Sequence, residues 1–298
     1  MRLPPWLRVK LPTERNFAVT RGLVERRGLR TVCDGARCPN VFECFSRNVA
    51  TFMVLGGVCT RRCAFCNMGA APGKRMFEPP DPEEPGRLAE AAAELGLRHV
   101  VVTSVTRDDL ADGGAEHFAA VVRALRGRLP GATCEVLIPD FKGDAGALDV
   151  VVRAGPDVIN HNLETVPALY SEVRPQAVYE RSLELLARVA STGIPAKSGI
   201  MVGLGEADAE VRRVVDDLAG AGCRMVTIGQ YLSPSRDNRL VSRFVHPDVF
   251  AEYAEYGRSR GIRHMFCGPL VRSSYNAAKF IDNTGDCGRG EGECGGGR

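Results

Sequence analysis

Apolar residues fall along this chain in two alternating rhythms. Short continuous runs at 49–55, 98–103, 133–138, 157–160, 196–202, 223–229 and 262–267 read as strands buried on both faces. Between most of them, at 83–95, 115–128, 145–154, 178–192, 207–221 and 247–260, apolar positions recur at helical spacing. Buried strands alternating with helices predict an α/β fold with a parallel sheet covered on both faces. Six βα units without a long linker favour a closed or partly closed TIM-like barrel; an open doubly wound sheet fits the same pattern.

The flanks lack this rhythm. Residues 1–48 read as irregular, with Pro at 4, 5, 12 and 39 and a helix over 14–28. From Gly285 the chain is glycine-rich with no apolar periodicity, and disorder is expected there. The expected organisation is an extension over 1–48, a barrel over 49–246, a second extension over 247–284 and a tail over 285–298.

In parallel α/β folds the site lies at the carboxyl ends of the strands. Here those ends read Gly56-Gly57-Val58-Cys59, Thr103-Ser104, Pro139-Asp140, His161-Asn162, Gly203-Leu204-Gly205-Glu206 and Gln230-Tyr231. Their polar and glycine content marks them as the lining of one pocket.

Composition narrows the function. The chain has 298 residues and a net charge of +3, and 6% of it is aromatic. That charge is too small, and the aromatics too few, to suggest nucleic-acid binding. No apolar run reaches membrane-spanning length, and the start carries no secretory h-region, so a cytoplasmic location away from membranes is expected. Of the eleven cysteines, six lie within residues 33–66; Cys134, Cys223, Cys267, Cys287 and Cys294 are scattered. Clustered cysteines in a reducing compartment suggest metal ligands or catalytic groups rather than disulfides. The three in apolar runs, Cys134, Cys223 and Cys267, read as core.

The six form two triplets. Cys59, Cys63 and Cys66 have C-x3-C-x2-C spacing on a loop after the first strand. Cys33, Cys38 and Cys44, at C-x4-C-x5-C, lie upstream of the barrel. Thiolates suit zinc and iron–sulfur clusters alike. No His occurs before residue 99, so each triplet is one ligand short of a closed zinc site. Three ligands on a four-iron cube leave one iron open.

C-x3-C-x2-C with Phe65 before its last cysteine resembles the signature of radical-SAM enzymes. Both triplets together, in this order, resemble lipoyl synthases. The resemblance runs from Trp6 to about Ala277 and includes Cys38-Pro39-Asn40, the run Thr103 to Gly114, Asn160 to Glu164, Val173-Arg174-Pro175, Lys197-Ser198-Gly199, Gly203 to Glu206, Gly229 to Arg236 and Val271 to Tyr275.

That resemblance implies a partial (β/α)6-type TIM-like barrel, two 4Fe-4S clusters and S-adenosylmethionine. It implies sulfur insertion at C6 and C8 of a protein-bound octanoyl-lysine, with the auxiliary cluster as sulfur donor. Cys59, Cys63 and Cys66 would hold the radical-SAM cluster. Cys33, Cys38 and Cys44 would hold the auxiliary one with Ser274, or with Ser273 as the fallback. Asn160, Asn162, Glu164, Lys197, Ser198 and Glu206 are candidate contacts to S-adenosylmethionine, and Arg174 a partner for its carboxylate. Implied partners are an octanoylated lipoyl-carrier domain, an electron donor such as ferredoxin or flavodoxin, and an iron–sulfur cluster carrier.

The unactivated carbons of an octanoyl chain carry no acidic hydrogen, so a general base has nothing to work on and a cofactor must do the hard step. Asn276 stands where the family often has His. His161 reads equally as a hydrogen-bonded core residue, and Arg107-Asp108-Asp109 as a loop over the site or as helix-start charges. Arg15, Arg21, Arg26, Arg27 and Arg30 fit a docking face for an acidic domain or a solvated helix face. A protein resembling biotin synthase, an iron–sulfur carrier and a zinc-stabilised binding module are the alternative readings.

Overall fold

The computed structural model describes residues 2–8, 16–47, 49–70, 77–274 and 277. In chain order the extension supplies α1 (Asn16–Arg26), β1 (Arg30–Thr31), α2 (Val32–Gly35) and α3 (Val41–Ser46). β2 (Thr51–Val54), β3 (Val58–Cys59) and β4 (Gly69–Ala70) follow. Then strands and helices alternate: α4 (Glu84–Glu94), β5 (His99–Ser104), α5 (Ala115–Arg128), β6 (Thr133–Leu137), α6 (Ala145–Arg153) and β7 (Val158–Asn160). The series closes with α7 (Tyr170–Val173), α8 (Tyr179–Ser191), β8 (Ala196–Val202), α9 (Asp208–Gly220), β9 (Met225–Gln230), α10 (Pro247–Ser259) and β10 (His264–Gly268).

The main sheet runs β1-β2-β5-β6-β7-β8-β9-β10. β1 is antiparallel to β2, and every later pairing is parallel. β10 and β1 are its two edges, so the barrel is open, as in a partial TIM-like barrel. All seven apolar runs became its parallel strands, and α4, α5, α6, α8, α9 and α10 lie between them. The extension is more ordered than its prolines suggested: β1 continues the sheet and Thr31 caps α2, its hydroxyl accepting from Asp34 N. α10 and β10 likewise carry the parallel sheet into the segment after residue 246.

Strand alternation sorts the faces. One face packs under the helices in the main core, with Phe52, Val102, Val136, Ile159, Ala196 and Val226. On the other, Val101, Val158, Met225 and Phe266 form a separate cluster inside the barrel, and Ala277 is buried among them. Polar side chains share these inward positions, Glu135 in register with Val101 and Val158 and Lys197 with Met225. Lys197 Nζ sits 2.8 and 2.9 Å from the Glu135 carboxylate oxygens, and Asn160 Nδ2 donates to Glu135 at 3.1 Å. Burial would raise Glu135, but the Lys197 ammonium and His99 outweigh it and hold the carboxyl at about 2.

Among the described residues no helix is long and apolar enough to cross a membrane.

Candidate active site

The strand ends open onto a cavity of about 390 Å³. Both cysteine triplets reach it. Cys59, Cys63 and Cys66 line it from the loop after β2, and Cys33 and Cys38 from α2 and the turn beyond it. Cys44, on α3, sits close behind: its charge would interact with Cys33 and Cys38. None of these thiols is in a disulfide.

Each triplet is a set of mutually close thiols, with Cys33 buried and the other five half-buried. Burial pushes the Cys33 thiol to about 11 and those of Cys44 and Cys66 to about 12, and it raises Cys63 as well. Neutral thiols in low dielectric become good soft-metal ligands once they lose their protons to the metal. Among the described residues no three His, Cys, Asp or Glu side chains gather tightly enough for a single metal ion. The donor set fits a multi-iron cluster, which is bound by thiolates at its corners.

The loop of the second triplet is clamped. Arg61 lies between Cys59 and Cys63, and its Nε and Nη2 meet the Asp108 carboxylate at 2.8 and 2.9 Å. Nη2 also meets Asp140, which is 1% exposed. These contacts hold Asp140 at about 2 against the opposing effect of burial. Asp108 therefore braces the cysteine loop and Arg107 pairs instead with Asp109, which separates the roles in the run Arg107-Asp108-Asp109. A strap after β9 covers the same loop: Asn238 Nδ2 donates to Cys66 O at 3.0 Å, and Arg239 N to Ala64 O at 2.9 Å.

The extension is tied to the far end of the sheet. Asn40 Nδ2 donates to Leu270 O at 2.7 Å, joining Cys38-Pro39-Asn40 to the segment that carries Ser273 and Ser274. Both serines line the cavity. Asn276, Cys287 and Cys294 lie outside the described residues.

Three of the seven candidate cofactor contacts face the cavity: Asn162, Glu164 and Arg174. Arg174 Nη1 is occupied by the carbonyls of Asn162 and Leu163, each at 3.0 Å, and by the Tyr170 hydroxyl. Its Nε and the Asn162 Oδ1 are buried polar atoms with no partner among the described residues. Glu164 holds a left-handed backbone, φ +67°, which is strained for a side chain of its kind. Burial raises its pKa, opposed by Arg174.

The other four sit elsewhere. Lys197 and Asn160 belong to the polar cluster around Glu135, below the cavity. Ser198 is fully buried beside β9, where Thr227 Oγ1 donates to its carbonyl. Glu206 accepts from the amides of Gly203, Leu204 and Gly205 and shapes the loop after β8. Those four departures share one cause. A strand-end position does not reveal which way its side chain points: intramolecular partners claim Lys197, Asn160 and Glu206, and Ser198 is buried against β9. His161, bonded to Ile138 O and Ser182, is a core histidine whose pKa burial lowers to about 4. Of the arginines on and after α1, Arg21 pairs with Glu25, and Arg26 and Arg27 with Glu94, which favours the solvated-face reading. Arg15 lies outside the described residues.

Glu135 and Asn238 were missed from sequence. Glu135 is an acidic residue in the middle of an apolar strand, a signal for a buried partner.

Residues 53–218 match the Radical SAM superfamily. The lipoyl synthase of Oleidesulfovibrio alaskensis is 61% identical over 281 residues, 94% of this chain and 95% of that protein. The lipoyl synthase of Nitratidesulfovibrio vulgaris (strain Hildenborough) is 62% identical over 277 residues, 93% of this chain and 92% of that protein. This chain belongs to the lipoyl synthase family. Lipoyl synthases are radical-SAM enzymes that use S-adenosylmethionine and 4Fe-4S clusters to insert sulfur at C6 and C8 of a protein-bound octanoyl-lysine, an auxiliary cluster being the sulfur donor. The fold is shared more widely. Streptococcus suis SuiB bound to S-adenosylmethionine superposes with a TM-score of 0.57 at 12% identity, over 76% of this chain and 53% of that one. HydG, a maturase of the [FeFe]-hydrogenase, gives 0.56 at 16% identity, over 72% and 50%.

Proposed function

We propose a division of labour within this lipoyl synthase. Cys59, Cys63 and Cys66 hold the cluster that works with S-adenosylmethionine; Cys33, Cys38 and Cys44, with Ser274, hold the auxiliary cluster. The observation that carries this reading is that five of the six cysteines and Ser274 line one cavity, with Cys44 close behind Cys33 and Cys38. When bound, the clusters and S-adenosylmethionine supply hydrogen abstraction and sulfur.

The chain's own side chains bind and exclude. The Arg174 guanidinium offers its unpartnered Nε edge to a carboxylate, and Asn162 Oδ1 accepts from an ammonium. Glu164, beside both, adds a second acceptor. These three residues suit the aminoacyl end of S-adenosylmethionine. Met53, Val105, Leu137, Ile138 and Met201 give the cavity an apolar wall for an octanoyl chain. A serine oxygen is a harder donor than thiolate and binds iron–sulfur less firmly, so Ser274 suits a cluster that must open.

Residues 1–48 serve as the auxiliary-site extension, 49–246 as the barrel, 247–284 as the C-terminal extension and 285–298 as a tail. The substrate is an octanoylated carrier domain. We further propose a ferredoxin or flavodoxin as electron donor, an iron–sulfur carrier for cluster supply, and the cytoplasm as the compartment. Free cysteines and oxygen-sensitive clusters both require reducing surroundings.

Anaerobic reconstitution of Cys33→Ala and Cys63→Ala variants tests the division. Each is expected to hold about four irons where the parent holds about eight. Cys33→Ala should still release 5′-deoxyadenosine, and Cys63→Ala should not. The reverse pattern, or eight irons in Cys33→Ala, contradicts it.

A further inference from the structure

Arg272 is a cation with no salt bridge to a carboxylate among the described residues. It follows Val271 in the segment after β10, precedes the two serines and lines the cavity that Cys33 and Cys38 also line. Its Nη1 donates to Val271 O at 2.7 Å. The guanidinium lies over Gly229, where an added Cβ would stand 3.3 Å from Nη1 and 2.1 Å from the Val271 carbonyl oxygen. The glycine thus lets this segment press against β9.

The setting differs from that of Arg61, which two carboxylates neutralise. Among the described residues no carboxylate pairs with Arg272, and Cys33, Cys38 and Ser274 line the same cavity as its side chain. A poorly solvated guanidinium without an anion costs free energy. A fold that places one beside a set of thiolates gains when that set carries an anionic group.

We propose that Arg272 is the counter-charge of the auxiliary cluster, held against β9 so that its guanidinium faces the group bound at Cys33, Cys38 and Cys44. The inference rests on the assignment of that triplet to a cluster. Three thiolates and a serine oxygen make the bound cluster an anion, and an added electron increases its charge. A fixed positive charge in low dielectric favours the reduced form and raises the reduction potential. Arg272 thereby tunes the cluster from the same short segment that supplies its oxygen ligand.

The test isolates the auxiliary site in a Cys59→Ala/Cys63→Ala/Cys66→Ala background, loaded anaerobically with iron and sulfide. Iron is counted, and the cluster is titrated with EPR detection in that background and with Arg272→Gln or Arg272→Lys added. Arg272→Gln is expected to shift the midpoint to a more negative potential, or to lose the irons that Arg272→Lys keeps. Arg272→Lys should titrate close to the background protein. A midpoint unchanged in Arg272→Gln with its irons retained overturns the proposal. Equal loss of iron in both variants does so too, because the side chain then serves packing alone. No iron in the background protein itself overturns the auxiliary-site assignment, a distinct failure.

Discussion

Arg61 and Asp108 face each other as a two-pronged pair, with guanidinium nitrogens 2.8 and 2.9 Å from the two carboxylate oxygens. Arg61 is nearly buried and sits midway between Cys59 and Cys63. The loop that presents these thiols is therefore fixed to the ends of β5 and β6 through Asp108 and Asp140, in addition to backbone bonds such as Thr60 N to Thr106 O and Ala64 N to Val173 O. Removing one member of such a network strands a buried charge. Asp140→Ala is expected to lower stability by about 3 kcal/mol and to reduce iron loading at Cys59, Cys63 and Cys66. Urea unfolding and iron analysis of the variant check both; an unchanged midpoint contradicts the clamp.

Gly229→Ala probes the other triplet without touching a cysteine. The added methyl would lie 2.1 Å from Val271 O, so the segment carrying Arg272, Ser273 and Ser274 must move. The variant is expected to hold about four irons per chain, all at the radical-SAM site, and to keep releasing 5′-deoxyadenosine. Full iron content with normal sulfur insertion contradicts the close approach.

His161 makes stability depend on pH. Its folded value is about 4, against an ordinary 6.5, because burial disfavours the imidazolium. Between those values the unfolded chain binds a proton that the folded chain does not, so stability rises with pH. From pH 7 to pH 5 the loss from this residue is about 2 kcal/mol. His264, also lowered by burial, acts in the same direction. Urea unfolding at the two pH values, compared with His161→Gln, isolates the share of His161. An identical pH slope in the variant contradicts the buried neutral imidazole.

Beneath the cavity, Glu135 and Lys197 form an ion pair with essentially no solvent contact. Glu135→Leu alone is expected to cost about 3–5 kcal/mol, since it leaves the ammonium unpaired. Adding Lys197→Met should recover most of that loss, because an apolar pair replaces the ionic one. Thermal or urea unfolding of both variants measures it. A double variant as unstable as the single would show that the charge pair is not what Glu135 provides.

These contacts mark the boundary of what the sequence discloses. Strand and helix order was legible because burial on both faces leaves continuous apolar runs such as Val100–Val102. The cysteine triplets were legible because their ligand spacing is local. The direction of a side chain at a strand end was not. Asn162 and Lys197 look equally suitable in sequence, yet the barrel turns one toward the cavity and the other onto Glu135. Order within residues 30–46 was also hidden: β1 exists because β2 offers it an edge, and Asn40 finds its partner 230 positions away at Leu270. Long-range pairing leaves no periodic trace.

The most direct measurement is an anaerobic assay of the reconstituted protein with S-adenosylmethionine, dithionite and an octanoyl-lysyl peptide, its products read by mass spectrometry. The parent protein is expected to release 5′-deoxyadenosine and to add two sulfurs to the peptide. Ser274→Ala should release the nucleoside without that addition. Product formed by Ser274→Ala at the parent's rate would contradict the assignment of the serine, and nucleoside release without sulfur gain by the parent itself would contradict the account as a whole.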